Sequence, residues 1–444
     1  MTYSLNFERY TLALACSLSL VHGMASAQID SHNPVTASGQ LADNDVLQTG
    51  VFVPPGIIGD GKADNTNALQ EALNAGRGPI YLPAGKYLLS ESLRIPSHSG
   101  VQGVGTLYML ADQPVLVCEG GDQELTDINI QGITIEKKWK SQSEAEAIII
   151  QNASNIRLSG LNITGICSVP VIDLVDCRQF SVSDCYIHDC LVDVLTQVRS
   201  SGRAVDLLGV SLMRCSFGQV TGNRIENLEA TPESLNSIDC QTDGISPMLS
   251  NNIAISNNTI RNVGEGIDMR ACEACTVSNN AIEDCYHFGI KVIHGSRLNA
   301  IGNNSIRNAS LAGFTLYFGE TRFGPNYGNV VNGNVITNTG GFPEDIKKWK
   351  YGWPRAGIEI VNDSKPDNSV HRYLITNNMI VDNQKAPTCK YGVIERFIEW
   401  DDEGKPHDLK NPHDDDKLFT NRISNNYVFG ISKKDYRTGS EVTP

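Results

Sequence analysis

The chain has 444 residues, with 36 Lys and Arg against 50 Asp and Glu and a formal net charge of −14 at pH 7. That balance excludes a general nucleic-acid binder, because a phosphate backbone selects basic faces. It leaves an acidic glycan open as a partner, since one local group of cations reverses the field at a single cleft.

The N-terminus reads as an export leader. Arg9 stands in a short polar lead, the apolar run from Leu12 to Val21 follows, and Ala25-Ser-Ala27 is a small-x-small cleavage site. The run is about 10 residues, short of the roughly 18 that span a bilayer, and no later stretch reaches that length. Residues 1–27 are therefore expected to be a signal peptide and residues 28–50 an N-terminal extension. Residues 51–444 form one domain of a secreted or periplasmic protein of bacterial type, with no membrane span. Of the 12 cysteines Cys16 falls in the leader, which leaves an odd number for an oxidising compartment. Cys272-x-x-Cys275 lacks the second pair that a zinc site needs, so buried thiols or a local disulfide are expected there.

After the leader, Gly59-Asp-Gly-Lys-Ala-Asp-Asn-Thr-Asn-Ala68 runs into the apolar-periodic stretch from Leu69 to Ala75, a predicted helix with Asn65 or Thr66 near its cap. Strands are predicted at Pro79-Ile-Tyr-Leu82 and Tyr87-Leu-Leu89, with the turn Pro83-Ala-Gly-Lys86 between them. From there a short pattern recurs: an aliphatic residue, two small or polar residues that are usually Asn, then a second aliphatic. It reads Val182-Ser-Asp-Cys-Tyr-Ile187, Ile255-Ser-Asn-Asn-Thr-Ile260, Val277-Ser-Asn-Asn-Ala-Ile282 and Ile301-Gly-Asn-Asn-Ser-Ile306. It returns at Val331-Asn-Gly-Asn-Val-Ile336, Ile375-Thr-Asn-Asn-Met-Ile380 and Ile423-Ser-Asn-Asn-Tyr-Val428. The clearest neighbours are 22 and 24 residues apart (Ile255 to Val277, then Val277 to Ile301), which is a solenoid period. In a coil of short parallel strands the aliphatics point inward and stack on their equivalents above and below. Asn tolerates the left-handed turn conformation, and its amide reaches the equivalent Asn of the next coil. The expected fold is an all-β, right-handed parallel β-helix, a single-stranded solenoid with an N-terminal capping helix.

With its Gly-Asp-Gly-x-x-Asp-Asn-Thr segment ahead of the helix, the chain resembles the pectate-lyase-like and rhamnogalacturonase/epimerase-like β-helix superfamily. The resemblance implies secreted polysaccharide lyases or polygalacturonase-like glycosidases, and it speaks for the fold more than for the reaction. Two stretches break the repeat, at about 319–355 and 384–418. The first carries Tyr327, Trp349, Tyr351 and Trp353; the second carries Trp400 and the acidic run from Asp414 to Asp416. Long insertions in a solenoid become loops on one face, often the binding face.

Aligning the coils on their Gly-aliphatic step gives Asp243-Gly-Ile-Ser246, Glu265-Gly-Ile-Asp-Met-Arg270, Phe288-Gly-Ile-Lys-Val-Ile293, Ala312-Gly-Phe-Thr-Leu-Tyr317 and Ala356-Gly-Ile-Glu-Ile360. One outward column then reads Ser246, Asp268, Lys291, Thr315, Glu359; the next reads Met248, Arg270, Ile293, Tyr317, Val361. Adjacent coils lie about 4.8 Å apart, so Asp268 and Lys291 are in direct reach. Five ionisable groups, Asp243, Glu265, Asp268, Arg270 and Lys291, thus share one strip, expected to be exposed. Either it is an ion-pair ladder of little energetic weight, or it is a catalytic strip beside an aromatic groove.

The foremost reading is β-elimination on a uronate-containing polysaccharide. Arg270 and Lys291 neutralise the sugar carboxylate, and Lys291 or Tyr317 takes the C5 proton. Asp243, Glu265 and Asp268 are a candidate calcium site. Tyr317, Glu359, Arg322 and Trp353 are the expected sugar contacts, with His287 and His294 beside them. The alternative is hydrolysis by paired carboxylates. Gln241-Thr-Asp-Gly-Ile245 resembles the Asn-Thr-Asp-Gly segment of polygalacturonase-like glycosidases, and that likeness carries over Asp243 and makes Glu265 a candidate general acid. Against a standard member, Gly264 stands where that family has the first Asp of a pair, and His287-Phe-Gly289 replaces Gly-His-Gly. A C5-epimerase and a non-catalytic glycan-binding β-helix are the remaining readings, as a monomer or a homotrimer.

Overall fold

The computed structural model describes residues 52–137, 145–192, 206–230, 241–319, 321–341, 355–363, 370–400, 406–408, 421–431 and 436–437. The expected leader and N-terminal extension, together with Trp349, Tyr351, Trp353 and the Asp414 to Asp416 run, lie outside these residues.

Among the described residues the strands wind into three long sheets of 13, 13 and 12 strands, whose strands pair from coil to coil, and a separate two-stranded pair of Asn326–Tyr327 with Val370–His371. The pairing is parallel throughout, except for Tyr391–Trp400 with Pro406–Asp408. This is the expected right-handed parallel β-helix. The capping helix spans Thr66–Asn74, a turn earlier than the apolar period alone suggests, and buries Leu69, Ala72 and Leu73 on the first coils. Asp64 explains the early start: its Oδ1 accepts from the Thr66 amide at 3.0 Å and from the Thr66 hydroxyl at 2.6 Å. Asn65 closes the turn by accepting from the Ile58 amide at 2.7 Å. Among the described residues no helix is long and apolar enough to cross a membrane.

The Asn pairs divide their labour. The first member takes the left-handed backbone, as Asn257, Asn279, Asn303, Asn377 and Asn425 do with φ between 55° and 58°. The second builds a ladder through Asn223, Asn258, Asn280, Asn304, Asn334, Asn378 and Asn426, buried in all but the half-buried Asn426. Each side-chain amide donates to the next Oδ1 at 2.9–3.0 Å. That Oδ1 also takes the backbone N–H of its neighbour, and the amide's second hydrogen goes to a backbone carbonyl. From Asn223 to Asn378 both hydrogens of every side-chain amide in the column are used.

Glycine sets the seam that positions the site. Gly244, Gly266, Gly289, Gly313 and Gly357 stack in one column, and a Cβ on any of them meets an Ile side chain of the same coil at 2.3–2.6 Å. These isoleucines, Ile260, Ile282, Ile306, Ile336 and Ile380, reach the sheet only because no side chain stands there. The residues flanking each glycine, Asp243 and Glu265 before it and Asp268 and Lys291 two positions after it, are therefore fixed on a rigid seam.

Two expectations need correction. The first interruption is narrower than 319–355: Asn326–Tyr327, Val330–Asn332 and Val335–Thr337 are ordinary strands of the coil. The second, 384–418, contains the long strand Tyr391–Trp400, paired over seven registers with Ala356–Asp363. Aromatic and charged residues hid the alternation of that strand. The ten described cysteines are buried thiols.

Candidate functional site

The register places the strip as the alignment expects. Asp243 pairs with Glu265, Met248 with Arg270, Asp268 with Lys291, Lys291 with Thr315 and Thr315 with Glu359. Its exposure is the main correction. Asp243 and Asp268 have no accessible surface, and Glu265, Lys291, Thr315 and Glu359 are buried. Strand alternation gives the direction of a side chain but not what lies over it. Here both faces of Glu265–Arg270 and Phe288–Ile293 are covered. Part of that cover is apolar, since Phe288 packs with Leu311 and Ala312 outside the main core.

Inside the strip the charges interlock. Lys291 Nζ donates to both oxygens of Glu265, at 3.1 and 3.0 Å, and to Asp268 Oδ2 at 3.2 Å. The Arg270 guanidinium lies 2.9 Å from Asp268 Oδ2 and 3.4 Å from Asp243 Oδ2, and donates to Ser246 Oγ at 3.0 Å. With 18% of its side chain exposed, Arg270 is the member of the five that reaches furthest toward water. His287 Nδ1 lies 3.6 Å from Glu265 Oε1, with the Tyr286 ring edge-on at 5.7 Å. Two carboxylate oxygens, Asp243 Oδ1 and Asp268 Oδ1, and the Thr315 hydroxyl are buried without a hydrogen-bond partner among the described residues. Buried acceptors without partners are costly.

Protonation separates the three acids. Burial pushes the Asp243 carboxyl well above its usual range, and the neighbouring Glu265 and Asp268 charges push it further. Burial also works against ionising Glu265, but Lys291 and His287 outweigh it and hold that carboxyl down at about 2. Asp268 is raised by burial against the opposing pull of Lys291 and Arg270. Lys291 is raised although burial disfavours its charge, because Asp268 and Glu265 face it. The two carboxylates favour its ammonium form, which opposes the role of proton acceptor considered for β-elimination.

The three acids of the expected calcium site are shared with two cations. Asp243, Glu265 and Asp268 do bring carboxylate oxygens within 4.8 Å of one another. Lys291 and Arg270, however, already fill the space between them, while calcium takes six to eight oxygens. A divalent ion there would stand against two fixed cations.

The other expected residues divide. Ile293 stands between Arg270 and Tyr317 in their column, and Tyr317 stacks on Phe318 with ring centres 4.5 Å apart. Glu359 belongs to a second buried pair, 3.0 Å from Arg396 Nη1. Arg396 was missed because it falls inside an expected loop. His294 is pushed down to about 4, first by burial and then by Lys291, Arg270 and Arg322, so it is neutral. Its ring lies 5.6 Å from Phe323. Gly264 has no room for the acid that a polygalacturonase carries there: a Cβ would lie 2.7 Å from Thr242 Oγ1, which accepts from the Gly264 amide and pairs with the Tyr286 hydroxyl.

The family model described as right-handed beta helix region matches residues 207–394, and the one described as rhamnogalacturonase A/epimerase, pectate lyase-like, matches residues 54–112. A pre-neck appendage protein of Bacillus phage B103 is 26% identical over 298 residues, 61% of this chain and 28% of the phage protein. The chain thus spans little more than a quarter of that relative. Among solved structures, the A-module of the mannuronan C-5 epimerase AlgE4 of Azotobacter vinelandii aligns with TM-score 0.59 and 14% identity, covering 88% of this chain and 98% of that one. The DFA-IIIase of Arthrobacter chlorophenolicus A6, in complex with GF2, aligns with TM-score 0.58 and 11% identity over 85% and 99%. The Dettilon tailspike protein aligns with TM-score 0.54 and 15% identity over 85% and 68%. The stacked parallel sheets and the matched beta-helix region show a right-handed parallel β-helix, and residues 54–112 are similar to the pectate lyase-like family.

Proposed function

We propose that the chain is a glycan-cleaving enzyme whose reaction is carried by the buried carboxylates rather than by a basic residue. The observation that carries this reading is the pair Asp243 Oδ1 and Asp268 Oδ1, without a partner among the described residues in a cluster where Lys291 and Arg270 hold the other carboxylate oxygens. Three acids this close cannot all ionise, and environments that drive their proton affinities apart assign the roles. Asp243 stays protonated and gives its proton to the glycosidic oxygen. Asp268, facing two cations, is the acceptor that draws a proton from water or meets the developing positive charge at the sugar. Glu265 with Lys291 is the fixed frame that keeps the other two in place. This exchanges the role that the sequence assigns to Glu265, because a carboxyl held at about 2 has no proton to give.

Arg270 lies over Asp243 and Asp268, so a sugar reaches them by displacing its guanidinium. The β-elimination reading keeps one specific support: neutral His294 stands among Arg270, Lys291 and Arg322, a base beside cations suited to a uronate. The similarity to proteins named as a mannuronan epimerase and a DFA-IIIase supports a carbohydrate substrate without choosing between the readings. Incubating the protein with acidic and neutral glycans separates them. New reducing ends without ultraviolet absorbance, lost in Asp243→Asn and Asp268→Asn and unaffected by a chelator, are the expected result. Absorbance from an unsaturated uronate, lost in His294→Gln, would replace hydrolysis with elimination.

A further inference from the structure

The strand that carries Asp243 is entered differently from its neighbours. Gly264 alone joins Thr259–Val263 to Glu265–Arg270, and Tyr286 with His287 joins Ala281–Cys285 to Phe288–Ile293. Ahead of Gln241–Met248 the connection is the longer stretch 231–240, which follows Arg224–Ala230. A longer connection leaves its strand more freedom at the entry.

Tyr286 ties the two ends of that connection together. Its hydroxyl donates to the Leu228 carbonyl at 3.0 Å, before the connection, and pairs with Thr242 Oγ1, just after it. Thr242 Oγ1 also accepts from the Gly264 amide at 2.8 Å, and the Thr242 carbonyl accepts from the same amide at 2.6 Å. Thr242 has no accessible surface, so its bonds are made away from water. The missing side chain of Gly264 makes room for the arrangement: a Cβ there would lie 2.7 Å from Thr242 Oγ1 and 3.2 Å from Tyr286 Cε2. The neighbouring entries carry backbone bonds, His287 N–H to the Gly264 carbonyl and Leu311 N–H to the His287 carbonyl, both at 2.9 Å. At Thr242 two hydroxyls are added, immediately ahead of Asp243, Glu265 and His287. Asp243 and Glu265 then stand opposite each other in register.

We propose that Thr242 and Tyr286 are positioning residues of the cleavage reaction: their paired hydroxyls hold the entry of the Asp243 strand in register with Glu265 and so place the proton donor. The proposal rests on the glycan-cleaving reading and adds to it two residues that act through Asp243 rather than on the sugar. Steady-state cleavage by the full chain tests it, at a temperature where circular dichroism shows every variant folded. Thr242→Val keeps the side-chain shape and removes its hydroxyl; Tyr286→Phe removes the other half of the pair at a less buried position. Each is expected to lower kcat and kcat/KM together by roughly 10- to 100-fold, since a misplacement of about 1 Å costs up to that much. Thr242→Ser restores the wild-type kcat, and the double variant is no slower than the slower single one, because the hydroxyls act as a unit. A lowered melting temperature with kcat kept in either variant shows a strap that serves stability only, and it overturns the proposal. So does a Thr242→Ser variant that stays slow, or losses that multiply in the double variant. Failure of the cleavage reading takes the proposal with it and shows separately, as no cleavage by wild type or turnover retained by Asp243→Asn.

Discussion

Two buried polar columns run along this solenoid, and they are built in opposite ways. In the asparagine ladder each amide serves the coil next to it, and the donors and acceptors are matched from Asn223 to Asn378. In the acid–base strip, five charged side chains interlock over Gln241–Met248, Glu265–Arg270 and Phe288–Ile293, yet Asp243 Oδ1, Asp268 Oδ1 and Thr315 Oγ1 are left without a partner among the described residues. A repeat that satisfies one column so completely has no structural need to leave acceptors open in the other. The satisfied column serves stability, and the open one is the candidate for chemistry.

The largest effect that sharpens this contrast is expected for Lys291→Met. Removing the ammonium leaves Glu265 and Asp268 buried without it, which should cost ~3–5 kcal/mol of unfolding free energy and abolish turnover. Chemical denaturation checks the first and a glycan assay the second; a neutral result in both would make the strip inert. Next comes Asp243→Asn, expected to lower kcat by roughly 10²–10⁴-fold while leaving the protein as stable or more so. The sign follows from the raised carboxyl. Its contribution is present below the unfolded value and is lost as pH rises through the folded one, so the native acid is a liability at neutral and alkaline pH that the amide does not carry. Loss of stability in Asp243→Asn at neutral pH would place the residue in the scaffold.

Asn280→Ala acts on the other column. It strips the acceptor from the Asn258 amide and side chain, two buried donors at about 1–3 kcal/mol each, and should leave kcat unchanged. A change in kcat without a change in stability would dissolve the distinction between the columns. The smallest effect is in acid. Glu265 is held at about 2, so its contribution is present above the unfolded carboxyl value and is lost as pH falls toward about 2. Glu265→Gln should flatten stability across that window, measured by thermal unfolding from neutral to strongly acidic buffer.

Much of this was legible in the sequence for a physical reason: a solenoid repeats its constraints. The recurring Asn pair and the Gly-aliphatic step fix register, and register alone sets Asp268 against Lys291 and Asp243 against Glu265. What sequence could not supply was cover. Alternation sends Asp268 and Lys291 outward, but only the packed structure shows that outward here is still dry, and dryness turns an ion-pair ladder into a set of acids with divergent proton affinities. Arg396 and its pair with Glu359 stayed hidden because an aromatic, charged strand looks like a loop.

The most direct test of the central claim is the release of reducing ends from a panel of glycans by wild type, Asp243→Asn and Asp268→Asn, each checked for unchanged secondary structure. Cleavage by wild type with both variants silent and folded is the result this account expects. Cleavage retained by either variant, or no cleavage of any glycan by wild type, would contradict it and leave the strip as a buried ion-pair ladder.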